Sequence, residues 1–267
     1  DINYHLQSIH VKTKKDELSF QDVVELYNKH KQELISDRSM TTQEQNKLQE
    51  HEHNAVLGKR DAEIIITSRI ETFLREKNLM GVPYHRNIFN SLAEAIFHEI
   101  YRFGIFHKWT KFKNSPSAKI QGKEMWFKIN GKFVKQEEEF DHDDKVLEFF
   151  RLLEIGNKNV KINESSPQAE MDLDDGTRVT LMRPPRSMKP TIVFRRFIVT
   201  KFSFHEQARR KTIHAADIDF YELVSRLEFN TIIAGHVESG KSTMLKTFYS
   251  ARIPEKVALL IETSPES

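Results

Sequence analysis

The chain has 267 residues, with 41 Lys+Arg against 39 Asp+Glu, 38% hydrophobic residues including 19 Phe, and no cysteine. That length can bury substantial cores in two domains, while the absence of cysteine excludes disulfides, argues against a zinc site and favours a reducing interior. A net charge of +2 gives no global pull toward nucleic acid. No apolar run nears the roughly 18 residues of a membrane span, and no signal-peptide pattern opens the chain.

Residues 1–60 read as a polar helical arm. Ser19 with Asp22 makes a capping box, followed at near-helical spacing by Phe20, Val23, Val24, Tyr27 and Leu34. A second helix is predicted from Thr41 or Thr42, with Glu44 or Gln45 three residues on. Beyond Leu48, Ala55 and Val56 it has little apolar surface, which predicts weak packing or an extended, exposed arm. His5, His10, His30, His51 and His53 lack an accompanying carboxylate or cysteine framework and read as solvated histidines rather than metal ligands.

Residues 61–108 read as a helical bundle. Ile65, Ile66, Ile70, Phe73 and Leu74 stripe one helix, and Ile88, Phe89, Leu92, Ala95, Ile96, Ile100 and Phe103 stripe another. Gly81-Val82-Pro83 breaks the chain between them, and Gly104 stands where a helix C′ residue is expected.

Residues 109–200 change to an α+β pattern. A polar connector over 113–119 precedes strands at 125–129 and 132–134, which flank the hairpin signal Asn130-Gly131. Acidic runs at 137–139 and 141–144 read as a solvated loop and a helix start, with the helix over 144–153. Further strands are predicted at 168–173, 177–182 and 191–199.

Between 178 and 211 lie ten basic side chains and one acid, Glu206. This run reads as a solvated face, a phosphate-facing wall or a docking surface for an acidic partner. A nucleic-acid groove is a further reading, although Phe194, Phe197, Phe202 and Phe204 alternate as strand-core residues do, which argues against base-stacking platforms. An amphipathic helix over 217–227, carrying Phe220, Leu223, Val224 and Leu227, then leads to the sharpest motif in the chain.

That motif is a P-loop, Gly235-His236-Val237-Glu238-Ser239-Gly240-Lys241-Ser242, after the β-branched run Thr231-Ile232-Ile233-Ala234 and before a helical stretch at 244–249. A tight loop between a buried parallel strand and a helix turns backbone N–H groups toward a β-phosphate. Lys241 adds a full positive charge for the β/γ oxygens, and the Ser242 hydroxyl reaches Mg²⁺. Thr243 completes the cofactor-binding segment, and ATP with Mg²⁺ is the expected ligand. A second buried strand over 257–261 ends in Glu262, at a carboxyl end where ligands bind in such sheets. No further strand follows to supply a Walker B acid, so the expectation is a fragment cut inside a catalytic domain and inactive alone.

From residue 60 onward the order of segments resembles the type II and type IV secretion-superfamily ATPases, especially the tight-adherence pilus-assembly and conjugation branches. The resemblance rests on INESSP at 162–167, LDDGTRV at 173–179, Pro184-Pro185, IVFRRF at 192–197, the P-loop, and IETSPE at 261–266. It implies a multidomain α/β and α+β chain: a helical N-terminal bundle, a PAS-like α+β domain over 109–200, and the start of a RecA-like P-loop domain over 201–267. It also implies a hexamer, with nucleotide between the two domains. Arg178 and Arg195 look like the arginines of the N-terminal domain that reach the phosphates, and Glu262 and Glu266 like the acids of the Asp box. The catalytic set is then Lys241, Glu262, Arg178 and Arg195, with Ser242 on the metal.

The chain departs from the family in having Val237-Glu238 for Thr-Gly and Thr263 for Asp. Glu238 puts a negative charge into an anion-binding loop, although translation GTPases have a similar Gly-His-Val-Asp loop. The expected activity is an ATPase motor, cytoplasmic and peripheral to an inner-membrane secretion or pilus platform. The alternatives are a non-hydrolysing nucleotide-binding scaffold of such a machine and a nucleic-acid translocase.

Overall fold

A computed structural model of the chain describes residues 18–36, 41–157, 160–173, 175–199, 201–236, 239–257 and 259. It divides into two compact units, Asp1–Arg196 and Phe197–Ser267.

The first unit opens with α1 (Phe20–Ser36) and α2 (Thr42–Val56), each started by the box its sequence predicts. Ser19 N and Oγ donate to Asp22 Oδ2 at 2.8 and 2.6 Å, and Asp22 N donates back to Ser19 Oγ at 3.2 Å. Thr41 and Glu44 make the same reciprocal pair, satisfying donors that a helix start leaves orphaned. The next stripe forms α3 (Arg60–Glu76), whereas the one expected over 88–103 is helical only as α4 (Leu92–Tyr101), with Ile88 and Phe89 buried ahead of it and Phe103 lying beyond it. Val23, Val24 and Tyr27 of α1, Ala55 of α2, Ile70 and Phe73 of α3, and Ile96 and Phe97 of α4 share one buried cluster. The thin apolar stripes of α1 and α2 are therefore packed rather than exposed, with Tyr27 edge-on to Phe73 at 5.4 Å. Gly104 is not a C′ residue. Helix α4 stops at Tyr101, and Gly104, at φ 50°, opens a 3-10 helix over Gly104–Lys111 that passes Phe106 and Trp109 into a second core.

That core is one face of a six-stranded antiparallel sheet in the order β3-β2-β1-β6-β5-β4. The strands are β1 (Ser117–Gln121), β2 (Glu124–Ile129), β3 (Lys132–Glu139), β4 (Gln168–Asp172), β5 (Arg178–Met182) and β6 (Thr191–Arg195). Helix α5 (Lys145–Gly156) adds Val146, Phe149, Phe150 and Leu153 to the same core. Asn130 and Gly131, at φ 50° and 81°, give the two left-handed residues that a two-residue hairpin requires. Strand β1 occupies part of the expected connector because Ala118 and Ile120 alternate into the core. The acids 137–139 lie on β3 rather than in a loop, since Lys123 and Lys135 reach Glu139 at 2.9 and 2.8 Å. Strand β6 ends at Arg195. Arg196 leaves the ladder, laying its guanidinium over Trp109 at 4.1 Å and donating to the Ser115 carbonyl at 3.1 Å.

The second unit holds α6 (Phe204–Arg209), a 3-10 turn over Ala215–Asp217, α7 (Ile218–Arg226) and α8 (Lys241–Ser250). Phe204 is its anchor, packed against Tyr221 at 5.6 Å and Phe248 at 5.1 Å. The apolar face expected of α7 stays open, with Phe220, Leu223 and Leu227 each more than half exposed. Among the described residues this unit has no strand, which corrects the expected strand over 231–234, while most of the one expected over 257–261 lies outside the described residues. Residues 231–234 are irregular, with Ile232 93% exposed. Val257 and Leu259, from the second expected strand, are also exposed, and residues 258, 260 and 261 lie outside the described set. A parallel strand is held by neighbours and by cover on both faces, and the β-branched run has neither among the described residues of its unit.

Phe194 is 2% exposed, stacks on Phe106 at 4.5 Å and meets Phe103 at 5.4 Å. Phe194→Ala is expected to lower stability by about 3–5 kcal/mol, read as a fall in the urea midpoint of the sheet-bearing unit.

Candidate functional site

The loop that would receive a nucleotide ends at α8, and buried polar contacts fix that helix. Thr247, fully buried, donates through Oγ1 to the Thr243 carbonyl at 2.8 Å and accepts from Gln207 Nε2 at 3.1 Å, tying α8 to α6. Ser225 Oγ donates to the Phe248 carbonyl at 2.7 Å, tying α7 to α8. Lys246 Nζ stands 4.4 Å above the Phe197 ring.

Gly240 precedes the helix in the left-handed region, at φ 85° and ψ 15°, where a side chain is costly. Gly240, as the N-cap residue, has no side chain with which to cap the helix start. Gly235 has a different constraint: a Cβ there would come within 2.5 Å of Ser239 Oγ, because the loop curls onto itself. Ser239 N and Lys241 Nζ both donate to the His236 carbonyl, at 3.2 and 2.7 Å. An ammonium, a helix N-terminus and a glycine turn therefore converge over a few residues, and this donor set suits an anionic phosphate. Ser242 and Thr243 lie in the first turn, partly exposed, with the hard hydroxyl oxygens that Mg²⁺ takes. Val237, Glu238, Glu262 and Glu266 lie outside the described residues.

Arg178 and Arg195 are direct cross-strand neighbours on β5 and β6, on the face opposite the core. Like charges so placed repel, and Asp172, opposite Arg178 on β4, offsets one of them through a 3.2 Å contact to Nε. The rest of the basic run divides between the two units. Lys189 pairs with Asp143 at 3.2 Å, while Arg209 and Arg210 both grip Glu206 and hold its carboxyl down at about 2.

One group of donors went unnoticed in the sequence: Glu94 and His98 on α4 with His107 on the 3-10 helix, one ligand atom of each lying within 4.8 Å of the others. The i,i+4 spacing of Glu94 and His98 was the available signal. The third member was invisible because it needs the turn at Gly104.

No protein-family model matches the chain, and no curated protein matches it. Among solved structures, one neighbour is the VirB11 ATPase from the Brucella suis type IV secretion system, in complex with sulphate. It is 15% identical with a TM-score of 0.37, over 55% of this chain and 51% of that one. The chain thus spans about half the length of that neighbour, and a score so low assigns it neither fold nor activity. No described helix is long and apolar enough to cross a membrane.

Thr247→Val strands the buried Gln207 amide and is expected to cost about 1–3 kcal/mol. In a double-mutant cycle with Gln207→Leu the pair should cost less than the sum of the singles. Additive costs would show that the two groups are not coupled.

Proposed function

We propose that the chain belongs to an ATPase motor subunit, of the kind that powers type II or type IV secretion or pilus assembly, and carries its P-loop segment. The observation that carries this reading is the turn at Gly240, which starts α8 with Lys241 curled back over the loop. In this reading the subunit works as a homo-oligomeric ring, a hexamer, on the cytoplasmic face of an inner-membrane platform, and hinge motion between its domains is the output.

ATP fits the loop's donor set, and bound Mg²⁺ supplies neutralisation of phosphate charge. Lys241 and the amides at the start of α8 hold the phosphates by charge and hydrogen bonding, and the Ser242 hydroxyl offers an oxygen ligand. His236, Val237, Glu238, Ser239 and Thr243 shape the remainder of the cradle. Glu262 is assigned the orientation of water or metal, and Arg178 and Arg195 the sensing of the γ-phosphate. Their enforced proximity on β5 and β6 favours that assignment, because an anion relieves the repulsion between them.

A second reading, a nucleotide-binding scaffold that does not hydrolyse, is favoured by the irregular backbone of residues 231–234, which leaves the loop without its strand. The two readings separate in the full-length protein. A fluorescent ATP analogue with Mg²⁺ should bind saturably, and Lys241→Ala should weaken it at least about tenfold, or about 1.4 kcal/mol. Turnover abolished by the same substitution supports the motor, binding without turnover supports the scaffold, and unchanged affinity dismisses the site.

A further inference from the structure

Glu94, His98 and His107 meet at the seam of the first unit, where α4, a member of the helical core, runs into the 3-10 helix that feeds the sheet core. Their geometry is fixed from several sides. Ser91 caps α4 by accepting from Glu94 N at 3.0 Å. Asn90 donates through N and Nδ2 to Glu94 Oε2, at 2.6 and 2.9 Å, which locks the carboxylate and leaves Oε1 at 3.8 Å from His107 Nε2. The two imidazole centroids are 3.9 Å apart. Phe89 covers both rings at 5.5 and 5.7 Å, and Phe97 stands edge-on to His98 at 5.4 Å.

His98 is only 7% exposed, and its Nε2 is buried with no hydrogen-bond partner among the described residues. A buried polar nitrogen without a partner calls for an explanation, since native folds leave few. Packing of two neutral histidines against Phe89 accounts for the ring positions but leaves that nitrogen orphaned. An ion accounts for both.

We propose that Glu94, His98 and His107 bind a divalent first-row transition ion, zinc in preference, as a staple between α4 and the 3-10 helix. Two imidazole nitrogens and one carboxylate oxygen are a borderline donor set that suits zinc and disfavours calcium and magnesium, which take all-oxygen shells. The side chains of His107 and Glu94 are 24% and 19% exposed, so solvent reaches the group on their side. Solvent supplies a fourth ligand from the same side. The site would cross-link residues 94 and 98 to 107 and so hold the helical core to the sheet core. This is independent of the nucleotide reading and needs no ATP.

The test uses the whole chain, stripped of metal and titrated with Co²⁺, then with Zn²⁺ in competition. One equivalent of Co²⁺ with an inner-sphere visible absorption, displaced by Zn²⁺, is expected. His107→Asn and Glu94→Gln should each weaken uptake at least tenfold with an unchanged far-ultraviolet CD spectrum, and should abolish a zinc-induced rise in Tm. A variant lacking His51 and His53 should bind as the parent does. No stoichiometric uptake, or uptake undiminished in His107→Asn and Glu94→Gln, would overturn the site. The two partly exposed positions carry the test, so it does not depend on whether a His98 variant folds.

Discussion

The pairing of β1 with β6 is the constraint on which the first unit depends. It joins two antiparallel three-stranded sets, β3-β2-β1 and β6-β5-β4, through partners seventy or more residues apart, from Ser117↔Arg195 to Gln121↔Thr191. The register puts Ala118 and Ile120 on the core face beside Ile192 and Phe194, and a one-residue slip would bury Lys119 instead. Two bonds pin one end of the ladder: Ser117 Oγ to the Phe194 carbonyl, and Arg196 N to the Pro116 carbonyl, both at 2.9 Å. The β5–β6 register, with Val179 and Leu181 on the same core face, brings Arg178 beside Arg195, so the candidate anion-sensing pair is a by-product of core packing rather than of a loop.

The second unit is held by different means. It has no sheet among its described residues, and its order comes from the aromatic contacts of Phe204 and the buried Gln207–Thr247 hydrogen bond. This small core positions α8 and hence the glycine turn in front of it, while α7 and residues 231–234 keep apolar side chains in solvent. The features that could hold phosphate are local and need only a loop and a helix start. A strand needs partners.

That difference explains what was legible. Local chemistry read correctly: Ser19 and Thr41 cap helices, Asn130-Gly131 turns a hairpin, and the alternation over 168–173 and 177–182 gave strands close to their observed bounds. Errors came where long-range contacts decide. Lys119 and Pro116 make β1 look like a connector, and the acids 137–139 look like a loop until Lys123, from the β1–β2 turn, and Lys135, along β3 itself, pair with Glu139. Thr231-Ile232-Ile233-Ala234 has high β propensity, but propensity cannot supply a neighbouring strand. Of the candidate site, the glycine turn and Lys241 could be read from spacing alone. The Glu94–His98–His107 group could not, because it forms only after α4 and the 3-10 helix pack.

The central claim is that backbone N–H groups around Gly240 and the Lys241 ammonium hold the phosphates of a nucleotide. Amide hydrogen exchange across residues 235–243, followed with and without ATP and Mg²⁺, tests this most directly. Slowed exchange concentrated in that segment is expected. Exchange there that is unchanged at saturating ATP, whatever happens elsewhere in the chain, would contradict it.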